Sequence, residues 1–394
     1  MLSESFVVPL IVLLIVSAGY ISEGVEGVAG GSDFGVILTE SGDLMVLEKY
    51  KPVDILGIAP EKGMLIVSED SIFVLGNSAL YLFDSRNLSF VPTLIGDVRA
   101  NEYYAVCNRT LYSMPRLIPL GNFTRVILKE NMALGIKGEL AHVYYDRNEV
   151  LRVNLSIYGI EFNRITDFLY TQSGVAIVEN EERVLFILDP HNNASLYVIK
   201  YTTPRVVRLL YFNDSVAYIM LRSSVTGESI SKYIIAVYSF YDNMFIRYFF
   251  SYSVYFPYAF IGSELVNLLN GSVVFKNVLS VLDYSRGKLL LILTNDTLAL
   301  IDVKSQKVLY ARGILGTPYI GSVVGNRSAI LLVRIVKNYS YAYIVEFSEN
   351  LPKIQENVQG QKNTGIRLPP ASIIFAILFY LFIILIVLFA LKRR

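Results

Sequence analysis

The chain has a single cysteine, no tryptophan and two histidines, and its 35 basic residues nearly cancel its 34 acidic ones. Each scarcity excludes something. Cys107 has no partner within the chain, so the disulfide-stapled class of secreted domain is ruled out, and its thiol reads as a small buried side chain. A net charge of +1 gives no electrostatic basis for binding nucleic acid. Metal sites need clustered His, Cys or carboxylates. His142 stands in a strand-like run and His191 in a turn after Asp189 and Pro190. A catalytic triad would have to recruit one of them, and no Gly-x-Ser-x-Gly turn, phosphate-binding glycine loop or calcium loop occurs. No catalytic, cofactor-binding or metal residue is therefore expected. A large surface domain without disulfides points to a prokaryotic protein of archaeal type.

What is present begins at the ends. Residues 371–391 carry no charge, Gly or Pro and are almost wholly Ile, Leu, Phe, Val and Ala. As a helix they match a bilayer core of roughly 30 Å, and they show no polar stripe. Lys392, Arg393 and Arg394 follow directly and form a basic tail that belongs on the cytoplasmic side. Residues 1–22 contain a shorter apolar run, suited to a signal peptide h-region or to a signal anchor; the acidic Glu4 and the missing basic n-region leave both readings open. Either way the middle lies outside the cell. Residues 349–370 are rich in Asn, Gln, Lys and Glu and end in Pro369-Pro370, which reads as a stalk before the span.

Asn-x-Ser/Thr sequons stand at Asn87, Asn108, Asn122, Asn154, Asn193, Asn213, Asn270, Asn295, Asn326 and Asn338. They exceed chance pairing, all lie between the apolar ends, and mark glycosylation candidates on exposed loops.

Residues 30–348 read as one all-β ectodomain. Helical periodicity is nearly absent, and short apolar runs such as 35–39, 64–67, 80–83 and 289–294 recur between turn residues. A hairpin repeats: an apolar strand ending in Asp, a few polar residues, then a second strand. The aspartates are Asp84, Asp146, Asp189, Asp242 and Asp302, and they read as turn-capping residues. Weaker copies without Asp lie near 44–53 and 341–354. The spacing predicts a β-propeller of about seven blades of roughly 45 residues each, with stacked β-sandwiches as the alternative. The clearest unit, 287–313, has Asp302, Ser305, Gln306, Lys307 and Tyr310 where the quinoprotein-like propeller repeat runs Asp-x-x-Thr-Gly-Lys-x-x-Trp. It resembles that family in one blade well and in about four loosely. It departs from the pattern at Gly and Trp, so the resemblance implies architecture without the family's quinone chemistry.

The densest aromatic segment is 233–260. Core packing between blades accounts for much of it. Tyr238, Tyr241, Tyr248, Tyr252 and Tyr255 are the candidates for a binding face, because tyrosine joins an apolar ring to a polar tip. The expected function is a membrane-anchored surface protein whose propeller binds a protein, a glycan or a cell-wall layer. An extracellular propeller hydrolase or lyase, and an accessory subunit of a membrane complex, are the alternatives.

Overall fold

The computed structural model describes residues 18–21, 24–48, 54–189, 194–200, 205–222, 233–293, 297–312, 316–336 and 339–349. The apolar segment 371–391, the basic tail 392–394 and all of the stalk but Glu349 lie outside them. Among the described residues no helix is long and apolar enough to cross a membrane.

The strands form nine four-stranded antiparallel sheets, and the fold is a β-propeller. Blades 1 to 8 span 25–58, 64–95, 98–122, 125–154, 165–200, 206–251, 254–275 and 278–312; blade 9 comprises 318–346 and is completed by the strand Ala18–Ile21. The expectation of seven blades is corrected to nine. Blades 3 and 7 are the shortest, with strands such as Val98–Ala100 and Val254–Tyr255, and neither carries the strand-end aspartate on which the count rested. The unit read at 287–313 is the last three strands of blade 8, whose first strand is Val278–Ser285.

Within blades 1 to 8 the sequence order is the spatial order, whereas the outermost strand of blade 9 is the N-terminal Ala18–Ile21; first strands lie side by side between blades 1 and 2, 5 and 6, 8 and 9, and 9 and 1. Burial follows from this layering. In blade 5 the second and third strands, Gly174–Glu179 and Arg183–Leu188, are buried almost throughout, whereas the fourth, Ser195–Lys200, is largely exposed. A middle strand is covered on both faces by neighbouring blades, so its sequence is a continuous apolar run rather than an alternation. One core accordingly runs without a break through blades 4, 5 and 6.

The ring closes between the first and last blades. Ala18–Ile21 pairs antiparallel with Tyr339–Glu346, from Ala18 opposite Tyr343 to Ile21 opposite Ser340. These four residues fall inside the stretch 1–22 read as a signal segment. On the inner side, Gly30 of blade 1 meets the backbone of blade 9 so closely that a Cβ there would stand 1.8 Å from the Val323 carbonyl oxygen. Only glycine allows that approach. Beyond Glu349 the weak copy read at 341–354 lies outside the described residues; after blade 9 the chain returns to blade 8, where Ser348 and Tyr310 exchange backbone hydrogen bonds of 2.8 and 2.9 Å.

All five repeat aspartates lie at the turn between the third and fourth strands of their blades. Their side chains differ in what they do. Asp302 Oδ1 accepts hydrogen bonds from the backbone N–H and the hydroxyl of Ser305, both at 2.8 Å, and its carboxyl is held below the usual range chiefly by that backbone contact. Asp84 accepts from the N–H of Arg86 at 3.0 Å. Asp146 begins a two-residue turn in which both it and Arg147 have positive φ. In blade 6 the equivalent position is Ser239, whose Oγ accepts from the N–H of Asp242 at 3.1 Å. Gln306 stands where the resembled repeat has Gly, and its φ of 56° explains that family's preference.

Candidate functional site

Two regions gather unusual chemistry. The first is the outer edge of blade 6. Its fourth strand, Met244–Ser251, is bonded only to the third, Tyr233–Ser239, so its far edge has no partner among the described residues. Successive side chains of a strand point to opposite faces. A register shift opposite Val237 and Tyr238 breaks that alternation at Ile246: Phe245, Tyr248 and Phe250 share one face, with the Phe245 and Tyr248 rings 5.9 Å apart, and Arg247 and Phe249 take the other. Met244, Ile246, Tyr248 and Phe250 together form an exposed apolar edge, and they are 56%, 52%, 52% and 54% exposed. Tyr241 at one end and Tyr252 at the other extend it, and Tyr241 is 95% exposed. Arg247 is the only charge in the strand, and its guanidinium lies 5.6 Å from the Phe249 ring centroid. Edge strands of natural proteins are normally short or charged, because an exposed apolar edge is a template for another chain.

The five tyrosines proposed from sequence do not share one face. Tyr241, Tyr248 and Tyr252 belong to this exposed edge. Tyr238 is buried in the third strand, with its hydroxyl donating to Asn243 Oδ1. Tyr255 lies in the first strand of blade 7 and packs against Tyr284 of blade 8, ring centroids 5.4 Å apart. No alternation in the sequence separates them, because a bulge at Ile246 interrupts the strand.

The second region is the axis, at the end where first strands turn into second strands. Arg286 of blade 8 donates to the carbonyl oxygens of Gly31 in blade 1 and Val67 in blade 2, both at 3.2 Å, and lies 3.6 Å from the Glu102 carboxylate of blade 3. Burial raises the Glu102 carboxyl, and Arg286 opposes that rise. Arg208 of blade 6 pairs with Glu130 of blade 4. Burial beside Glu130 pushes the Tyr284 hydroxyl up to about 12. Side chains from blades 3, 4, 6 and 8 and backbone carbonyls of blades 1 and 2 thus meet at this end of the axis. Deeper, Lys129 of blade 4 donates to both oxygens of Asp167 in blade 5, at 2.9 and 2.7 Å, and to Leu209 O of blade 6 at 2.9 Å. Sequence reading missed all of these groups, because residues up to 255 positions apart meet there.

Of the sequon asparagines, Asn87, Asn108, Asn122, Asn270 and Asn326 are exposed, Asn154 and Asn213 are half-buried, and Asn193, Asn295 and Asn338 lie outside the described residues. All the described ones stand at turns or strand ends. At Asn154 and Asn270 the sequon hydroxyls, Ser156 and Ser272, donate to the amide oxygen at 2.8 and 2.7 Å, leaving the nitrogen that a glycan would take outside that contact.

Among the described residues no group of three or more His, Cys, Asp or Glu is placed to hold a metal. Cys107 is buried, its thiol donating to Ile95 O at 3.3 Å and raised by burial. His191 lies outside the described residues. His142 contacts Glu149 at 2.8 Å, and Arg152 completes the cluster. The Arg152 hydrogen bond, with His142 behind it, holds Glu149 down at about 2. A depressed carboxylate stabilises the fold above its unfolded pKa and loses that contribution as pH falls through the folded value. Glu149→Gln is expected to cost about 1 kcal/mol or less at neutral pH, since Arg152 is largely exposed, and the difference from wild type should vanish between about pH 4 and 2. Urea midpoints of the two proteins across that range check it; a gap independent of pH would contradict the pairing.

No family model matches the chain, and no curated protein matches it. Similar solved structures include the computationally designed Ika8 protein, at 9% identity and a TM-score of 0.38, covering 84% of this chain and 100% of that one. Sqt1 of Saccharomyces cerevisiae gives 9% identity and a TM-score of 0.35, with 83% of this chain and 97% of that one covered. Hsv2 of Kluyveromyces lactis gives 8% and 0.29, with 78% and 90% covered. The assignment as a propeller therefore rests on the strand topology.

Proposed function

We propose that this is a membrane-anchored cell-surface protein whose propeller captures a protein partner along the outer edge of blade 6. The observation that carries the reading is the set of exposed apolar side chains Met244, Ile246, Tyr248 and Phe250 on an eight-residue strand whose outer edge has no strand partner among the described residues. An extended segment of a partner would add a strand there: main-chain hydrogen bonds supply affinity, and apolar side chains on alternate positions pack against that set. Aromatic residues are enriched at such interfaces, and charge is depleted at their centres. The blades resembling quinoprotein repeats are read as scaffold alone. Anchoring by 371–391, with the propeller outside, is supported by the apolar run, the basic tail and the sequons.

The test uses the full chain in its native membrane. A photo-crosslinking residue at Tyr248 is expected to give an adduct of discrete mass that the same residue at the exposed Glu139 does not give, and Ile246→Asp should abolish it. Equal labelling at the two positions overturns the interface. Protease added to intact cells should digest the propeller and leave a small C-terminal fragment; full protection overturns the surface location.

A further inference from the structure

A cavity of about 750 Å³ runs beside the first strands of blades 3 and 4. At one end it is bounded by Asn101 and Glu130, from the turns beside the axis, and at the other by Asp97 and Arg109. Three guanidinium groups line it: Arg99, Arg109 and Arg125. None of the three forms an ion pair among the described residues. Arg99 Nη2 reaches only the Val126 carbonyl oxygen, at 3.5 Å. Arg125 Nη1 donates to the carbonyl oxygens of Phe162 and Asn163, at 3.3 and 2.5 Å, which fixes the side chain with neutral acceptors and leaves its charge uncompensated. Arg109 lies in the turn between the second and third strands of blade 3, at a φ of 72°, and no hydrogen bond of its side chain is seen among the described residues. Of the two acids lining the cavity, Glu130 is already paired with Arg208. Asp97 alone stands against three cations.

Like charges gathered in a concave site repel one another and focus a positive potential into it. The arrangement gains from a ligand that supplies the missing negative charge. Arginine's planar fork matches carboxylate and phosphate oxygens bidentately, and the volume suits a small molecule rather than a macromolecule. We infer that this cavity binds a small polyanion carrying two or more carboxylate or phosphate groups, with Arg99 and Arg109 as its direct ligands and Arg125 as a preset third. The site lies on the inner strands, away from the blade 6 edge, and its occupancy does not depend on the partner proposed there.

Purified full chain in a neutral detergent, titrated calorimetrically with citrate, with inorganic pyrophosphate and with digalacturonate at low ionic strength, tests this. The carboxylate and phosphate probes separate the two sources of charge. At least one should bind more tightly than about 1 mM, and Arg109→Gln and Arg99→Gln should each weaken it by about tenfold. Asp97→Asn should tighten it, because it removes the one opposing charge. Arg99 and Arg109 are exposed, so the melting temperature of each variant should match wild type, which separates lost binding from lost folding. No binding of any of the three probes, or binding unchanged by Arg109→Gln and Arg99→Gln, would overturn the inference.

Discussion

Asp167→Ala is expected to cost about 3–5 kcal/mol of folding stability, because it strips the partner from a buried charge. The Lys129 and Asp167 side chains are only 7% and 13% exposed. The carboxylate accepts twice from Lys129 and once, at 2.7 Å, from the N–H of Leu209, so it ties the first strands of blades 4, 5 and 6 together. Without it the ammonium keeps the Leu209 carbonyl and loses its counter-charge, and the Leu209 N–H loses its acceptor. Burial already pulls Lys129 below the ordinary lysine value, with Asp167 as the main opposing pull. In the variant that depression deepens. A lysine whose folded pKa is lowered penalises the fold while it stays charged, and the penalty is relieved as pH rises from the folded pKa towards the unfolded one. The deficit of Asp167→Ala should therefore shrink in alkaline solution. The double variant Lys129→Met, Asp167→Leu should recover most of the loss, since an apolar pair can replace a buried ion pair. Asp283 offers the comparison: it accepts from the N–H of Val323 at 2.8 Å across blades 8 and 9, with no buried ammonium attached. Asp283→Ala should cost less, about 1–3 kcal/mol. Urea midpoints measure all three variants against wild type, and a loss below about 1 kcal/mol for Asp167→Ala would remove the ion pair from the account of the fold.

Phe186→Ala is expected to cost a similar amount, about 3–5 kcal/mol, through the cavity it leaves. Phe186 is fully buried in the third strand of blade 5, and its ring lies 5.6 Å from Phe212 and 5.0 Å from Phe240, both of blade 6. Phe240 in turn packs on Tyr197 at 4.7 Å and Tyr238 at 5.7 Å. The cluster is the contact between two blades, and a truncated ring there has few neighbours free to collapse into the gap. Phe250→Ala, the same change on the exposed edge of blade 6, should stay within about 0.5 kcal/mol, because that ring is 54% exposed. Thermal and urea unfolding distinguish the two. Comparable losses at Phe186 and Phe250 would mean that the outer strand is covered in the folded protein, and the docking edge would go with it.

The sequence by itself determined that the chain is built of short strands, that a hairpin recurs, and which turn carries the repeated aspartate. Those features are local. Continuous apolar runs such as Leu185–Leu188 follow from a strand covered on both faces, and Asp302 caps its turn through residues three positions away. The tertiary structure alone decided the blade count, because blades 3 and 7 make their sheets from strands too short and too plain to repeat the pattern. It decided that Ala18–Ile21, at the end of the stretch 1–22, closes the ring against Tyr339–Glu346. It split the aromatic segment 233–260 into a buried Tyr238 and an exposed Tyr248, which the register of one strand pair on another fixes. And it brought together Arg286 with Glu102, and Lys129 with Asp167 and Leu209. Such pairs are set by how many blades the ring holds and how they tilt about the axis, and no window of sequence contains that geometry.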